Sequence, residues 1–166
     1  MRLLVQLHQE PIEARLATLD AEWRVAELSA GSLRERGPLQ GSVGAWLDFY
    51  GIVRELEDPR HRCGPRREGD APHEHDESPF PVRALRYEAH EAMAVHQITK
   101  ILERLGTEHG LEAALVLHRI GEVQVGEASL LVRILSPHRE EALRACAQFI
   151  DELKQWVPIW KHAVRV

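Results

Sequence analysis

The run from Asp58 to Pro81, DPRHRCGPRREGDAPHEHDESPFP, constrains this chain more than any other stretch. It holds five of the nine prolines, three of the ten histidines and almost nothing apolar. Such a segment cannot offset the entropy of its own ordering by burial. It is expected to be a long, exposed and flexible insertion, either solvated or laid over a site, because ordered connections rarely exceed about 12 to 15 residues without a role. A core must therefore be assembled from the residues before and after it. The 166 residues, 44% apolar and 28% charged, are enough for one domain over the whole chain.

Periodicity says what those flanking parts become. Leu3 to Leu7 reads as a short strand, and Pro11 opens a helical pattern with Ile12, Leu16, Leu19 and Trp23. Glycines and Pro38 break periodicity from Gly31 to Gly44. Val43, Ala45, Leu47 and Phe49 then alternate as a strand that ends in Tyr50-Gly51-Ile52-Val53-Arg54. Beyond the polar run, Val82 to Ala89 predicts a strand, and Glu91 to Leu105 a helix stopped by Gly106. Glu112 to Ile120 and Glu127 to Leu135 predict a hairpin around Gly121 and Gly126. Pro137 precedes a final helix with Ala142, Leu143, Cys146, Phe149, Ile150 and Leu153 at core spacing, and Pro158 ends it. This order of elements predicts an α+β fold on a mainly antiparallel sheet with packed helices.

Several function classes are excluded or disfavoured. A formal charge of −5 gives no basic field for nucleic acid. No apolar run approaches the roughly 18 residues of a membrane span, and the first residues lack a signal-peptide pattern, so a cytosolic location is expected. Cys63 and Cys146 make no disulfide framework. Phosphate-loop, dinucleotide, serine-elbow and zinc-helix motifs are absent. His61, Cys63, His73, Glu74, His75 and Asp76 match no zinc spacing, so no metal or cofactor is expected. Cys146 reads as a buried apolar residue, His118-Arg119 as structural, and Phe149, Trp156 and Trp160 as core or interface packing. What remains is a set of cations at element ends: Arg54, His138-Arg139 at a helix start that could cradle an anion, Lys154 and Lys161. Arg139 and Lys154 stand at opposite ends of one helix, too far apart to share a small site within one chain.

Five collinear segments carry a resemblance. They are F-Y-G-I-V-R at Phe49 to Arg54, L-R-Y-E at Leu85 to Glu88 followed by Met93, H-R-I-G-E at His118 to Glu122, S-P-H-R at Ser136 to Arg139, and F-I-D-E-L-K-Q-W-V-P-I-W-K at Phe149 to Lys161. Together, over most of residues 43 to 161, they resemble the catalytic (large) subunit of molybdopterin synthase, the MoaE family. The resemblance implies an α/β hammerhead fold and a homodimer flanked by two copies of a small ubiquitin-like sulfur carrier of MoaD type, a heterotetramer. It implies a sulfurtransferase of molybdenum cofactor biosynthesis. Sulfur would pass from the carrier's thiocarboxylated C-terminus to cyclic pyranopterin monophosphate, forming molybdopterin. The family's substrate-binding positions fall on Ile52, Val53 and Arg54, on His138 and Arg139, on Lys154, and on Lys161, His162 and Ala163. Lys154 and Lys161 are the catalytic candidates.

Those residue types suit two anionic partners, a cyclic phosphate and a thiocarboxylate, which need convergent cations. A lysine amine near other cations or out of water also becomes available for proton transfer or nucleophilic attack. A site drawn from two chains of a dimer answers the distance between Arg139 and Lys154. Two features depart from the family pattern: the long run after Arg54, where relatives usually turn tightly, and the end at Val166, where relatives commonly continue with a polar tail. They leave room for a non-catalytic relative that docks a ubiquitin-like carrier, or for a plain phosphate-ligand binder.

Overall fold

The computed structural model describes residues 1–19, 42–58, 65 and 78–166. The elements run β1 (Arg2–His8), α1 (Ile12–Thr18), β2 (Ala45–Ile52), β3 (Leu56–Glu57), β4 (Phe80–Ala89), α2 (Glu91–His109), β5 (Ala113–Arg119), β6 (Gly121–Gln124), β7 (Ala128–Ser136), α3 (Arg139–Trp156) and β8 (Ile159–Arg165). This is the α+β arrangement the periodicities predict. None of the described helices is long and apolar enough to cross a membrane.

The first sheet has the order β1-β5-β7-β2, with β1 parallel to β5 and the other pairs antiparallel. β5 and β7 are buried at every position, because both faces of the sheet are covered. On one face Val116, Val132 and Ile134 join Ile98 and Leu102 of α2 and Phe149 of α3. On the other, Leu115, Leu117 and Leu131 join Ile12 and Leu19. β2 lies at the edge. In the second sheet β4 pairs with β3, β6 and β8, all antiparallel.

The structure corrects some of these expectations and extends others. α1 ends at Thr18, and Leu19 is buried but extended (φ −68°, ψ 152°); Trp23 lies outside the described residues. α2 runs through Gly106 to a left-handed cap at Gly110 (φ 63°). A Cβ at Gly106 would come within 2.1 Å of the sulfur of Met1, the end of a flexible and half-exposed side chain that can swing aside. The predicted hairpin of β5 and β7 exists, but its connection is β6, which crosses to pair with β4 and couples the two sheets. Residues after Pro158 form a strand, β8, because Val157 turns extended (φ −80°, ψ 130°) and Ile159 resumes the core. Trp156 is 57% exposed on α3 and packs in no core of the described residues. Of the polar run, Phe80 and Pro81 belong to β4, and its expected mobility falls mostly outside the described residues.

Candidate functional site

The predicted residues fall into two groups. β2 delivers the first. Ile52 is 50% exposed, Val53 is only 2% exposed and Arg54 is exposed just beyond the strand. The Gly126 N–H donates to the Val53 carbonyl at 2.9 Å and the Val53 N–H to the Glu127 carbonyl at 3.0 Å, so the β6–β7 turn fixes this end of β2. Arg54 stands on the rim of an open groove formed with Val53, Glu55, Leu56, Val125 and Gly126.

Lys161 joins this group through an ion pair. Strand β8 sets it opposite Tyr87, and its ammonium meets the carboxylate of Glu57, with the two side chains only 18% and 12% exposed. Glu57 follows Arg54 by three residues, so the pair ties β8 to the segment carrying Arg54. Side chains alternate across a strand, which turns His162 to the face opposite Lys161. There its Nε2 lies 3.4 Å from the Glu88 carboxylate. Ala163, opposite Leu85, returns to the face of Lys161. Lys154 is exposed in the last turn of α3 and makes no ion pair with another described residue. The chain has only three lysines, Lys100, Lys154 and Lys161.

The second group is His138 and Arg139 at the start of α3, both exposed. The Ser136 hydroxyl donates to the His138 carbonyl, and the Gly44 N–H to the Ser136 carbonyl at 3.0 Å, which sets this corner beside the beginning of β2. A Cβ on Gly44 would meet the Pro137 carbonyl oxygen at 2.1 Å. Glu140 and Glu141 fill the first turn and Arg144 pairs with Glu140 at 2.6 Å. These carboxylates already occupy the favourable field of the helix N-terminus, so anion binding here rests on the imidazole and guanidinium themselves. Arg139 and Lys154 are separated by about 22 Å of helix, and the extended run of β2 separates Arg54 from Gly44 by roughly 30 Å. One chain therefore brings Arg54 and Lys161 towards each other and leaves His138 and Arg139 at the far end.

The remaining candidates are built into the core. His118 is buried, its Nδ1 donates to the Arg119 carbonyl at 2.7 Å, and its ring meets Tyr87 edge-on at 5.2 Å. Arg119 pairs with Glu127 at 2.8 Å. Burial raises the Cys146 thiol to about 11, which leaves it a poor nucleophile. The described residues contain no group of three or more metal-ligating side chains. His61, Cys63, His73, Glu74, His75 and Asp76 lie outside them.

Residues 20–156 match the family model described as MoaE protein. The chain belongs to the MoaE family. Among its relatives, the molybdopterin synthase catalytic subunit of Pyrococcus abyssi is 42% identical over 83 residues, half of this chain and 56% of that protein. That of Culex quinquefasciatus is 50% identical over 81 residues, 48% of this chain and 52% of the relative. The matched segment thus spans about half the length of these relatives. Among solved structures, molybdopterin synthase from Staphylococcus aureus superposes with a TM-score of 0.63 at 24% identity, covering 97% of this chain and 90% of that one. A complex of subunits 1 and 2 of molybdopterin-converting factor from Helicobacter pylori gives 0.60 at 21%, covering 96% and 83%. These structures share the MoaE-like fold described above.

Within this MoaE-family chain, Glu57 is the residue that sequence reasoning misses. In V-R-E-L-E-D it is one of three acidic residues at the mouth of a charged run. Only the pairing of β3 with β4 distinguishes it, by burying it while Glu55 stays exposed.

Proposed function

We propose that this MoaE-family chain is the large subunit of a molybdopterin synthase. It would accept the thiocarboxylated C-terminus of a small ubiquitin-like carrier and pass its sulfur to cyclic pyranopterin monophosphate. Arg54, His138 and Arg139 bind the anionic groups, Lys161 contacts substrate, and Lys154 serves as the proton-transferring or nucleophilic amine. Two negative partners repel each other, and a cluster of cations offsets that repulsion where the sulfur changes hands. Each transfer leaves the carrier with an ordinary carboxylate, so two carriers are consumed per dithiolene.

The observation that carries this reading is the separation of the cations into groups at the two ends of β2. β2 is an edge strand, and no described strand pairs with its outer rim. Trp46, Phe49, Tyr50 and Ile52 on it are partly exposed. Antiparallel pairing of two β2 strands about a two-fold axis would set Ala45 of one copy against Ile52 of the other. His138 and Arg139 of a second copy would then approach Arg54 and Lys154 of the first. A homodimer completes two equivalent sites in this way, each open to one carrier.

The test mixes the purified protein with thiocarboxylated carrier and cyclic pyranopterin monophosphate and assays molybdopterin. Product that disappears in Lys154→Ala supports the enzyme. Carrier binding without product under any condition overturns it and leaves a docking module.

A further inference from the structure

The proposed reaction gives Lys161 a role but does not say what controls it. The geometry points to Glu57: we propose that it is a positioning residue that holds the Lys161 amine in place on its face of β8, beside the segment that carries Arg54. This rests on the functional reading above.

Glu57 and Lys161 come from distant parts of the chain, the two-residue strand β3 and the last strand β8. Their charged ends meet where both side chains are largely withdrawn from water. A surface ion pair would say little, because solvent screens it and long side chains wander. Here the partial burial limits both effects. The contact restricts the rotamers of a flexible four-carbon stem and so fixes where the amine sits. Lys154 has no such partner among the described residues and Lys100 lies on α2 beside Glu103 in the open. The two catalytic candidates are thus held in different ways. Lys161 is held in one place by a carboxylate, whereas the Lys154 side chain is exposed and makes no ion pair with another described residue. Glu57 also sits three residues from Arg54, so one short segment orients both the guanidinium and, through the carboxylate, the ammonium.

Trace acylation of the folded chain, followed by mass spectrometry, reads the three amines separately. Glu57→Gln preserves shape and removes charge. Lys161 labelling should rise about tenfold in that variant, with Lys100 and Lys154 unchanged, and Glu57→Asp should keep it near the original rate. A rise at Lys161 that comes with a lowered urea-unfolding midpoint would mark loosening of the fold and would overturn the proposal, as would no change at Lys161. In the molybdopterin assay, Glu57→Gln should lower kcat about tenfold and leave KM for the pterin within about twofold, the pattern of a lost transition-state interaction. Unchanged kcat overturns the positioning role while leaving the functional reading intact. No product from the unaltered chain overturns that reading itself and leaves the labelling to decide whether Glu57 governs Lys161.

Discussion

Arg133 is the largest fully buried side chain among the described residues, 1% exposed in the middle of β7. Its guanidinium makes two hydrogen bonds to Asp48 of β2, at 2.7 and 2.8 Å, and lies 4.9 Å from the centre of the Trp46 ring, whose N–H also donates to Asp48 at 3.1 Å. The fork fixes the register of the edge strand whose end carries Arg54. Asp48→Ala would take both of these bonds from a buried guanidinium, and a loss of roughly 2–4 kcal/mol is expected in urea unfolding. Replacing both residues by apolar ones should recover most of it. His118 supplies a second test. Burial, with a smaller push from His8, lowers its pKa to about 4 against the hydrogen bond to Arg119, which raises it. The unfolded chain binds this proton near 6.5, so the stability due to neutral His118 is full above that value and is lost as pH falls towards 4. Between pH 7.5 and 5 the fall attributable to it is about 2 kcal/mol, and His118→Phe should remove that part of the slope. The sequence identified His118 as structural because apolar neighbours surround it. It offered no sign of the Arg133–Asp48 fork, whose members are 85 residues apart.

Elements were legible wherever their signal is local. The final helix was found because Ala142, Cys146, Phe149 and Leu153 repeat at helical spacing and are buried, with Ile150 packed beside them; Leu143, also expected in the core, is 57% exposed. β8 was missed because Pro158 correctly signals a stop but says nothing of the strand partner, β4, more than seventy residues earlier. Gly106 and Gly110 show the same limit. Gly106 reads as the helix stop, and only the three-dimensional structure moves the stop to Gly110, the glycine with positive φ. Gly110→Ala has room for its methyl group and is strained by backbone alone, so it should cost about 1 kcal/mol by urea unfolding. The candidate site follows the same rule. Its cations could be named from motifs, while their division between two ends of β2 emerges only from the β2–β7 register and the direction of α3.

At the scale of the whole molecule, that division makes a quantitative prediction. If each site takes Arg54, Lys154 and Lys161 from one copy and His138 and Arg139 from the other, then Arg139→Ala and Lys154→Ala damage complementary halves. Each variant alone should be inactive in the molybdopterin assay. In a mixed dimer one site receives both lesions and the other receives neither. Random association makes half of the dimers mixed, so co-expression of the two variants should restore about a quarter of the original activity. A site confined to one chain would give no recovery at any mixing ratio. The same arrangement requires the rim of β2 to be covered by a second copy. Phe49→Lys, which places a charge on that rim, should halve the mass measured by light scattering. It should abolish activity with little loss of monomer stability, because Phe49 is already 38% exposed in the single chain. A variant that stays dimeric would move the interface elsewhere. Recovery by mixing would then have to come from another surface that brings the start of α3 to the end of β2.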